Sequence, residues 1–316
     1  MDNTAIINNN AEFGITSAFE EQPKTKKKRH KKFPVKKVIC YALLILYTVW
    51  LFFPMLTIFI TSFTPTEQLV TSETFVWLPK FTIEPYKQIF TTDLYIDEVG
   101  VPGLLLGFIN TMWMTLLPVL VGLFVSGVSA YAFSKIKFKG KELLFGIEII
   151  IMVFPLGAFG VITQIFYYQL DWVPGVLPLI IPGLFGGIGT MFFLRMYMDG
   201  ISDGLLEAAK IDGLGFWGIF FKIMVPLSKP AFIAQFIFGF VGGYNNYMSA
   251  LLYLSGEPKF VTLSLYLGEI TTLFNNKGDE NVHCAAAVLG MLPLIILYII
   301  MQKYFIEGVA MGGEKE

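Results

Sequence analysis

The residues with the most informative types and spacing lie in a short polar stretch between two long apolar segments. Glu207-Ala208-Ala209 is followed by Asp212-Gly213 and, nine residues later, by Ile223-Met224-Val225-Pro226. Alanine combines high helix propensity with little bulk, and a glycine past a helical stretch favours the left-handed conformation of a helix end. These residue types suit recognition, because small side chains let a helix sit deep in a partner's groove.

Two short helices must position these residues. Asp203 is a suitable N-cap, so we predict a helix over 204–211 whose free N–H groups donate to its carboxylate. Gly213 supplies the stop. A second helix from about 216 to 224, closed by Pro226, completes a helix-turn-helix knob.

The sequence contains no pattern typical of catalysis or metal binding. His30 and His283 are far apart and lack a Cys or carboxylate spacing suited to a metal. Cys40 and Cys284 each fall in or at an apolar segment, so we expect no disulfide framework. We therefore predict no enzymatic activity, no cofactor, no metal and no nucleic-acid partner.

Composition points to a lipid bilayer. Hydrophobic residues make up 55% of the chain and charged residues 15%, whereas a soluble domain has about 25% charged residues. A span needs about 20 mostly apolar residues. Six stretches qualify, at residues 38–63, 104–134, 143–167, 173–198, 231–254 and 284–305. We predict an all-α membrane protein of six transmembrane helices, with the knob between the fourth and fifth; a soluble protein would need core helices equally long and free of charge.

The predicted domains are a disordered basic tail at 1–37, a transmembrane domain at 38–306 and a short tail at 307–316. The basic run at 24–37 either anchors the first span on the positive side or lies on anionic headgroups. Nine Lys and Arg residues precede the first span, two lie in loop 64–103 and four in loop 135–142. Loops rich in Lys and Arg alternate with loops that contain few of these residues, so both termini and the knob are predicted to be cytoplasmic.

Polar residues inside the predicted spans are candidates for a solute pathway. Asn245 and Asn246, flanked by Tyr244 and Tyr247, form the most polar aromatic patch. Amides pair with sugar hydroxyls and aromatic faces cover a sugar ring; the alternative is interhelical hydrogen bonding. Glu148 is either a functional intramembrane acid or a structural residue that reaches the interface.

Two pairs of small residues are also suited to close helix contact. Gly183 and Gly187, like Gly239 and Gly243, are spaced to share a helical face. Such a face permits ordinary bundle packing or sliding during gating.

The full spacing of the 207–226 stretch resembles the cytoplasmic signature loop of ATP-binding-cassette importer permeases, with Val225 in place of the usual Leu. Segment 77–86, Asn110-Thr111 and segment 129–141 resemble the carbohydrate importers related to the maltose transporter's smaller permease. The resemblance extends from about residue 36 to the C-terminus, where 304–313 is similar to that subfamily's Gly-rich end.

The resemblance implies a subunit of a bacterial plasma-membrane importer for an oligosaccharide or another sugar. Its implied partners are a second permease in a heterodimer, a dimer of ATPases that hydrolyse the ATP, and an extracytoplasmic sugar-binding protein. Glu207 would make the polar contact with the ATPase, Ala208 and Ala209 the close fit, and Gly213 the turn. The 304–313 end would reach the ATPase interface or form a frayed terminus.

Other functions remain open at this point. An importer of the same architecture for a non-sugar solute would share the 207–226 spacing. An ion-coupled secondary transporter would need midplane carboxylates or His and an internal inverted repeat. A membrane-embedded enzyme would need clustered His, Cys or acidic residues. None of these last features is visible in the sequence.

Overall fold

The computed structural model describes residues 35–72, 75–92, 94–154 and 159–313, with side chains from 36 to 303. Every regular element in these ranges is a helix, which confirms the all-α class. The chain divides into two compact units, Met1–Leu51 and Phe52–Glu316. The described part of the first is the start of α1; the contacts below belong to the second. The predicted tail at 1–37 lies almost wholly outside the described residues, as do the side chains of 304–316.

The helices succeed one another along the chain, joined by turns and short loops. They are α1 (Val35–Ser62), α2 (Thr66–Thr71), α3 (Glu84–Thr91), α4 (Ile96–Val99), α5 (Gly103–Lys135), α6 (Lys141–Val153), α7 (Gly160–Gln169), α8 (Leu177–Leu184), α9 (Ile188–Asp199), α10 (Asp203–Ile211), α11 (Phe216–Ile219), α12 (Val225–Leu227), α13 (Lys229–Tyr244), α14 (Tyr247–Leu254), α15 (Leu263–Leu273) and α16 (Glu280–Gly313). A π-helical turn, Phe220–Met224, joins α11 to α12, and a 3₁₀ turn, Pro258–Phe260, precedes α15.

Four segments of the described chain are long and apolar enough to cross a bilayer. They are Lys36–Ser62, Gly103–Lys135, Leu177–Asp199 and Glu280–Lys303. Phe216–Leu227 and Lys229–Tyr244 pass the same test together but meet at a bend of 78°, so they add a fifth span only if both belong to it. The predicted third span falls on α6 and α7, which flank the undescribed residues 155–158. The count of six therefore stays a prediction.

Helix α5 is the centre of the fold and packs against α8, α9, α13 and α15. Small residues allow these close approaches: a Cβ added to Gly243 of α13 would lie 2.8 Å from the Thr115 Cγ2 atom, and one on Gly239 would lie 3.3 Å from Val119. Helices in a membrane associate through such small-residue contacts. The predicted packing face of Gly239 and Gly243 is confirmed.

The predicted shared face of Gly183 and Gly187 is wrong, because the helix breaks between them. Gly186 adopts a left-handed φ of +83°, a conformation that glycine adopts without a steric penalty. The Ser126 hydroxyl then accepts a hydrogen bond from the Gly187 N–H at 3.0 Å. Gly183 still permits a close approach, since an added Cβ would lie 2.6 Å from Pro118.

Buried polar side chains of α5 hold the segment that leads into α15. The Asn110 Nδ2 atom donates to the carbonyls of Lys259 and Val261, both at 2.9 Å. The Thr111 hydroxyl accepts from the Leu263 N–H at 2.8 Å. These bonds satisfy backbone groups that would otherwise be unpaired in an apolar environment. Asn110-Thr111 therefore fixes the 258–263 segment against α5.

We expect Asn110→Leu to destabilise this end of the protein. Leaving the buried Val261 carbonyl without its donor costs about 1–3 kcal/mol, and the part-buried Lys259 carbonyl loses the same donor. Thermal unfolding of the detergent-solubilised protein should begin at a clearly lower temperature than in the unmodified chain. Ile109→Ala, at a half-exposed neighbouring position, is the control. Equal unfolding temperatures for the two variants would contradict this role of Asn110.

Candidate functional site

The predicted turn of the knob is present and has the geometry of a Schellman motif. Gly213 has a φ of +83°, and its N–H donates to the Lys210 carbonyl at 3.0 Å. The Leu214 N–H donates to the Ala209 carbonyl at 2.9 Å. This pair of bonds satisfies carbonyls at the end of α10 and requires a left-handed residue at position 213. The prediction of a glycine stop is confirmed.

The second helix of the knob extends past its predicted end. α11 continues through the π-helical turn into α12, so Pro226 lies inside a helix and the chain bends at Ser228. The prediction that Pro226 ends the second helix of the knob is therefore wrong by two residues. The chain bends into α13 at Ser228.

The two faces of α10 have different surroundings. Leu206 and Ala209 are buried in one cluster with Ile219, Phe220 and Tyr131. Glu207, Ala208 and Lys210 are exposed, and Ile211 exposes 86% of its surface. The knob thus presents a carboxylate, a small side chain and an apolar side chain on its free face. Ala209, predicted to fit a partner directly, packs instead inside this chain.

The start of α10 is held by Lys135, at the end of α5. The Lys135 Nζ atom donates to the Ile201 carbonyl at 2.6 Å and to the Asp203 carboxylate at 2.7 Å. The Lys135 side chain is only 7% exposed. We call these three residues the Lys135 cluster. It connects the central helix to the turn between α9 and α10 and to the first residue of α10.

The predicted N-cap role of Asp203 is wrong. Ser202 occupies the N-cap position, with no side-chain capping bond, and Asp203 is the first residue of α10. The largely buried ammonium of Lys135 competes for the carboxylate and draws it away from the helix N–H groups. Both partners of this bond are ionised, so the carboxylate is attracted more strongly to the ammonium than to the partial charge of a backbone N–H.

The hydrogen bond from Lys135 lowers the pKa of the Asp203 carboxyl from its usual value. Because the folded-state pKa lies below the unfolded one, the contact stabilises the fold above about pH 3.9. That contribution is lost only as pH falls through the lower, folded-state pKa. Asp203 is therefore ionised at neutral pH, and the Lys135 cluster is intact there.

A second group of contacts joins α5, α6 and α9 close to the Lys135 cluster. The Ser134 hydroxyl donates to the Asp199 carboxylate at 2.6 Å, and the Arg195 guanidinium lies 3.5 Å from the centre of the Phe145 ring. Glu148 lines a cavity of about 100 Å³ with Ser126 and other residues of α5 and α9. This half-buried position leaves both predicted roles of Glu148 open.

The predicted solute patch coincides with a break in the helix. α13 ends at Tyr244 and α14 begins at Tyr247. The Asn245 amide donates to the Val241 carbonyl at 2.9 Å, and the Asn246 side chain accepts from the Ser249 N–H at 3.3 Å. Both asparagine bonds stay within the broken helix, but the Tyr244 hydroxyl donates to the Gly290 carbonyl of α16 at 2.7 Å, which is an interhelical bond of the kind that the alternative predicted. We did not predict this break from the sequence, because no proline lies between Tyr244 and Tyr247.

The structure divides the four patch residues between different surroundings. Tyr244 and Asn245 line a cavity of about 370 Å³ between α13, α15 and α16. Its polar lining also includes Ser264, Thr271 and His283. Asn246 contributes to a separate cavity of about 80 Å³ beside α5, to which Tyr244 also contributes. Tyr247 packs against Gly268.

Metal-ligating side chains are not grouped in the part of the chain that the structure describes. No set of three or more His, Cys, Asp or Glu residues there could hold a metal ion. Cys40 and Cys284 are free thiols.

Residues 118–310, which include the knob and the broken helix, match the family described as "binding-protein-dependent transport system inner membrane component". The chain belongs to this family. It is therefore a multi-pass inner-membrane component of a transport system, and its role is that of a transport subunit. Glu207 and Gly213 lie within the matched region.

Individual relatives agree with this assignment over most of their length. The chain is 31% identical over 265 residues to the arabinooligosaccharides transport system permease protein of Halalkalibacterium halodurans, covering 83% of this chain and 91% of the relative. It is 29% identical over 294 residues to the galactooligosaccharides transport system permease protein of Bacillus subtilis, covering 89% and 96%.

A solved structure shares the fold of this component. A chain of a bacterial ABC transporter involved in the import of the acidic polysaccharide alginate superposes with a TM-score of 0.72 at 22% identity. The superposition covers 86% of this chain and 96% of the other.

Proposed function

We propose that the chain is a permease subunit of an ATP-driven importer for oligosaccharides. It spans the bacterial inner membrane six times, with both termini in the cytoplasm. A second permease forms a heterodimer with it, and an extracytoplasmic sugar-binding protein delivers the solute. A dimer of ATPases supplies the energy. The similarity to arabinooligosaccharide and galactooligosaccharide permeases supports a sugar as the solute.

The free face of α10 is the observation that carries the coupling role. Glu207, Ala208 and Ile211 are exposed although α10 buries its other face. An exposed isoleucine beside a carboxylate and an alanine is typical of a surface that is covered in a complex. We infer that the 203–226 loop inserts into a cleft of the ATPase, where Glu207 makes a polar contact and Ala208 permits close approach. Asp212, Gly213 and Pro226 shape the loop, and Ala209 supports α10 from inside.

The experiment that tests this proposal is co-purification from native membranes. A tagged chain should recover an ATPase and a second permease, which mass spectrometry identifies. Glu207→Lys should lose the ATPase and retain the second permease, since it reverses one charge on the free face. Glu142→Lys, at an exposed carboxylate of α6 outside the knob, should retain both. Recovery of the chain alone, active in liposomes without ATP, would favour an ion-coupled transporter.

Transport assays test the class of solute. The co-purified complex, reconstituted with its binding protein, should take up arabinotriose or galactobiose when ATP is present inside the liposomes. A complex that hydrolyses ATP in response to a non-sugar solute, and to neither oligosaccharide, would establish the same architecture with another cargo.

We propose Asn245 as a solute contact, because it lines the cavity of about 370 Å³ that also contains hydroxyl and imidazole groups. Asn245→Leu should raise the KM for oligosaccharide uptake severalfold, since the leucine cannot pair with a hydroxyl. Asn246→Leu removes the cap of α14 instead, which costs about 1 kcal/mol, and should lower thermal stability with little change in KM. Equal KM values for Asn245→Leu and the unmodified complex would exclude this contact.

A further inference from the structure

Two oppositely charged side chains lie where α6 contacts α9, and the proposed function assigns a role to neither. Glu148 of α6 has a carboxylate oxygen, Oε2, that is buried without a hydrogen-bond partner. Arg195 of α9 has two such nitrogens, Nε and Nη1, and its side chain is only 13% exposed. Charged groups buried in a membrane protein are costly unless they are paired. A second partner for each of these groups would therefore stabilise the protein.

The first residue of α6 and the last residue of α9 both contact Ser134 of α5. The Lys141 Nζ atom donates to the Ser134 carbonyl at 3.2 Å, and the Ser134 hydroxyl donates to the Asp199 carboxylate at 2.6 Å. These two helix ends therefore lie at the same level of the bundle, and the positions of side chains along α6 and α9 can be compared from there.

Arg195 lies between two carboxylates. It is four residues, or about 6 Å of helix, from Asp199, and its Nε atom is 3.6 Å from that carboxylate. Toward α6, its guanidinium lies 3.5 Å from the centre of the Phe145 ring. Glu148 follows Phe145 by three residues, so it lies on the same side of α6 and about 4.5 Å further from the level of Ser134. The guanidinium thus has one acidic neighbour toward that level and another away from it.

The contact between Arg195 and Asp199 can be given up at a reduced cost. Its distance of 3.6 Å is longer than that of a hydrogen bond. Asp199 also accepts from the Ser134 hydroxyl, so its carboxylate keeps a partner when the guanidinium leaves. Beside Glu148, the cavity of about 100 Å³ that Ser126 also lines gives the carboxylate room to turn.

We propose that Arg195 exchanges its ionic partner during the transport cycle, pairing with Asp199 in the conformation described above and with Glu148 in the opposite one. This inference rests on the proposed function, because an importer must open its solute site to each side of the membrane in turn. Helix shifts of a few ångströms are common in such transitions, and a shift of α6 toward the level of Ser134 brings Glu148 to the guanidinium. Glu148 and Asp199 are then positioning residues, each of which stabilises one conformation.

Neutral substitutions of nearly unchanged shape test the exchange. Glu148→Gln removes the ionic partner of one conformation, and Asp199→Asn removes that of the other. Glu142→Gln, at an exposed position in the first turn of α6, is the control. The purified complexes are placed in nanodiscs, without nucleotide or trapped with ATP and vanadate. Hydrogen exchange of peptides from α6 and α9, followed by mass spectrometry, measures local opening in each state.

We expect Glu148→Gln to accelerate exchange severalfold in one of the two states only, and Asp199→Asn to accelerate it in the other state only. Both variants should lower ATP-driven oligosaccharide uptake severalfold, and Glu142→Gln should change neither exchange nor uptake. Exchange that changes in both states, in the same state for both variants, or in neither state would overturn the proposal. Normal uptake by the Glu148→Gln complex would overturn it as well.

The unmodified complex separates failure of this inference from failure of the proposed function. If the unmodified chain recovers an ATPase and takes up oligosaccharide, an unexpected exchange pattern refutes only the partner exchange of Arg195. If the unmodified chain recovers no ATPase and takes up no oligosaccharide, the proposed function is wrong and the inference fails with it.

Discussion

Gly213→Pro should abolish ATP-driven uptake and remove the ATPase from the purified complex. Proline fixes φ near −65°, whereas the native φ at this position is +83°. The substitution also deletes the N–H that donates to the Lys210 carbonyl. The turn must therefore open, and the free face of α10 changes direction relative to α11. Uptake of oligosaccharide and recovery of the ATPase in the same preparation measure the two effects.

Two further variants separate the conformation of residue 213 from a general disturbance of the loop. Gly213→Asn should retain most activity, because asparagine enters the left-handed region more readily than other non-glycine residues. Gly215→Ala should also be active, since Gly215 has a φ of −80° and open space around an added Cβ. A Gly213→Pro complex that keeps its ATPase and transports normally would refute a coupling role for this turn.

Local chemistry explains which features could be predicted from the sequence. The stop at Gly213 depends on neighbouring residues alone, so a glycine after a helix-forming stretch was sufficient to predict it. The packing of Gly239 and Gly243 against α5 also follows from spacing, because residues four apart lie on one helical face. Both predictions are confirmed by the geometry.

Features that depend on distant residues could not be predicted. Asp203 has the side chain of a good N-cap, yet its partner is Lys135, 68 positions earlier in the chain. The break at Gly186 depends on Ser126 of α5. The sequence predicted no structural role for Asn110, which was named only as part of a resemblance. Its role depends on the carbonyls of Lys259 and Val261, which are about 150 positions later in the chain. In each case a buried polar group competes with a local preference and determines the local geometry.

Lys135→Met should uncouple the loop while leaving the complex assembled. Lys135 belongs to α5 and its side chain is only 7% exposed, so its substitution changes none of Glu207, Ala208 and Ile211 on the proposed docking surface. Without the ammonium, the Ile201 carbonyl loses a charge-assisted bond of about 1.5–3 kcal/mol, and Asp203 loses its partner. Movement of the knob would then reach α5 only through the apolar cluster that Leu206 and Ala209 share with Tyr131. We expect the ATPase to co-purify, ATP hydrolysis to persist and uptake to fall at least about tenfold, a loss of about 1.4 kcal/mol in transition-state stabilisation.

Lys137→Met is the matched control. Lys137 is exposed, and its substitution removes the same charge two residues away. It should leave the ratio of solute transported to ATP hydrolysed unchanged. Asp203→Asn should have an intermediate effect, because the amide oxygen still accepts from Lys135 and the Ile201 bond is untouched. Lys135→Met should have the larger effect because the Lys135 ammonium donates to both the Ile201 carbonyl and the Asp203 carboxylate, and Asp203→Asn alters only the second of these bonds. If Lys135→Met instead lowered hydrolysis and uptake in equal proportion, Lys135 would support only the stability of the loop and would have no part in coupling.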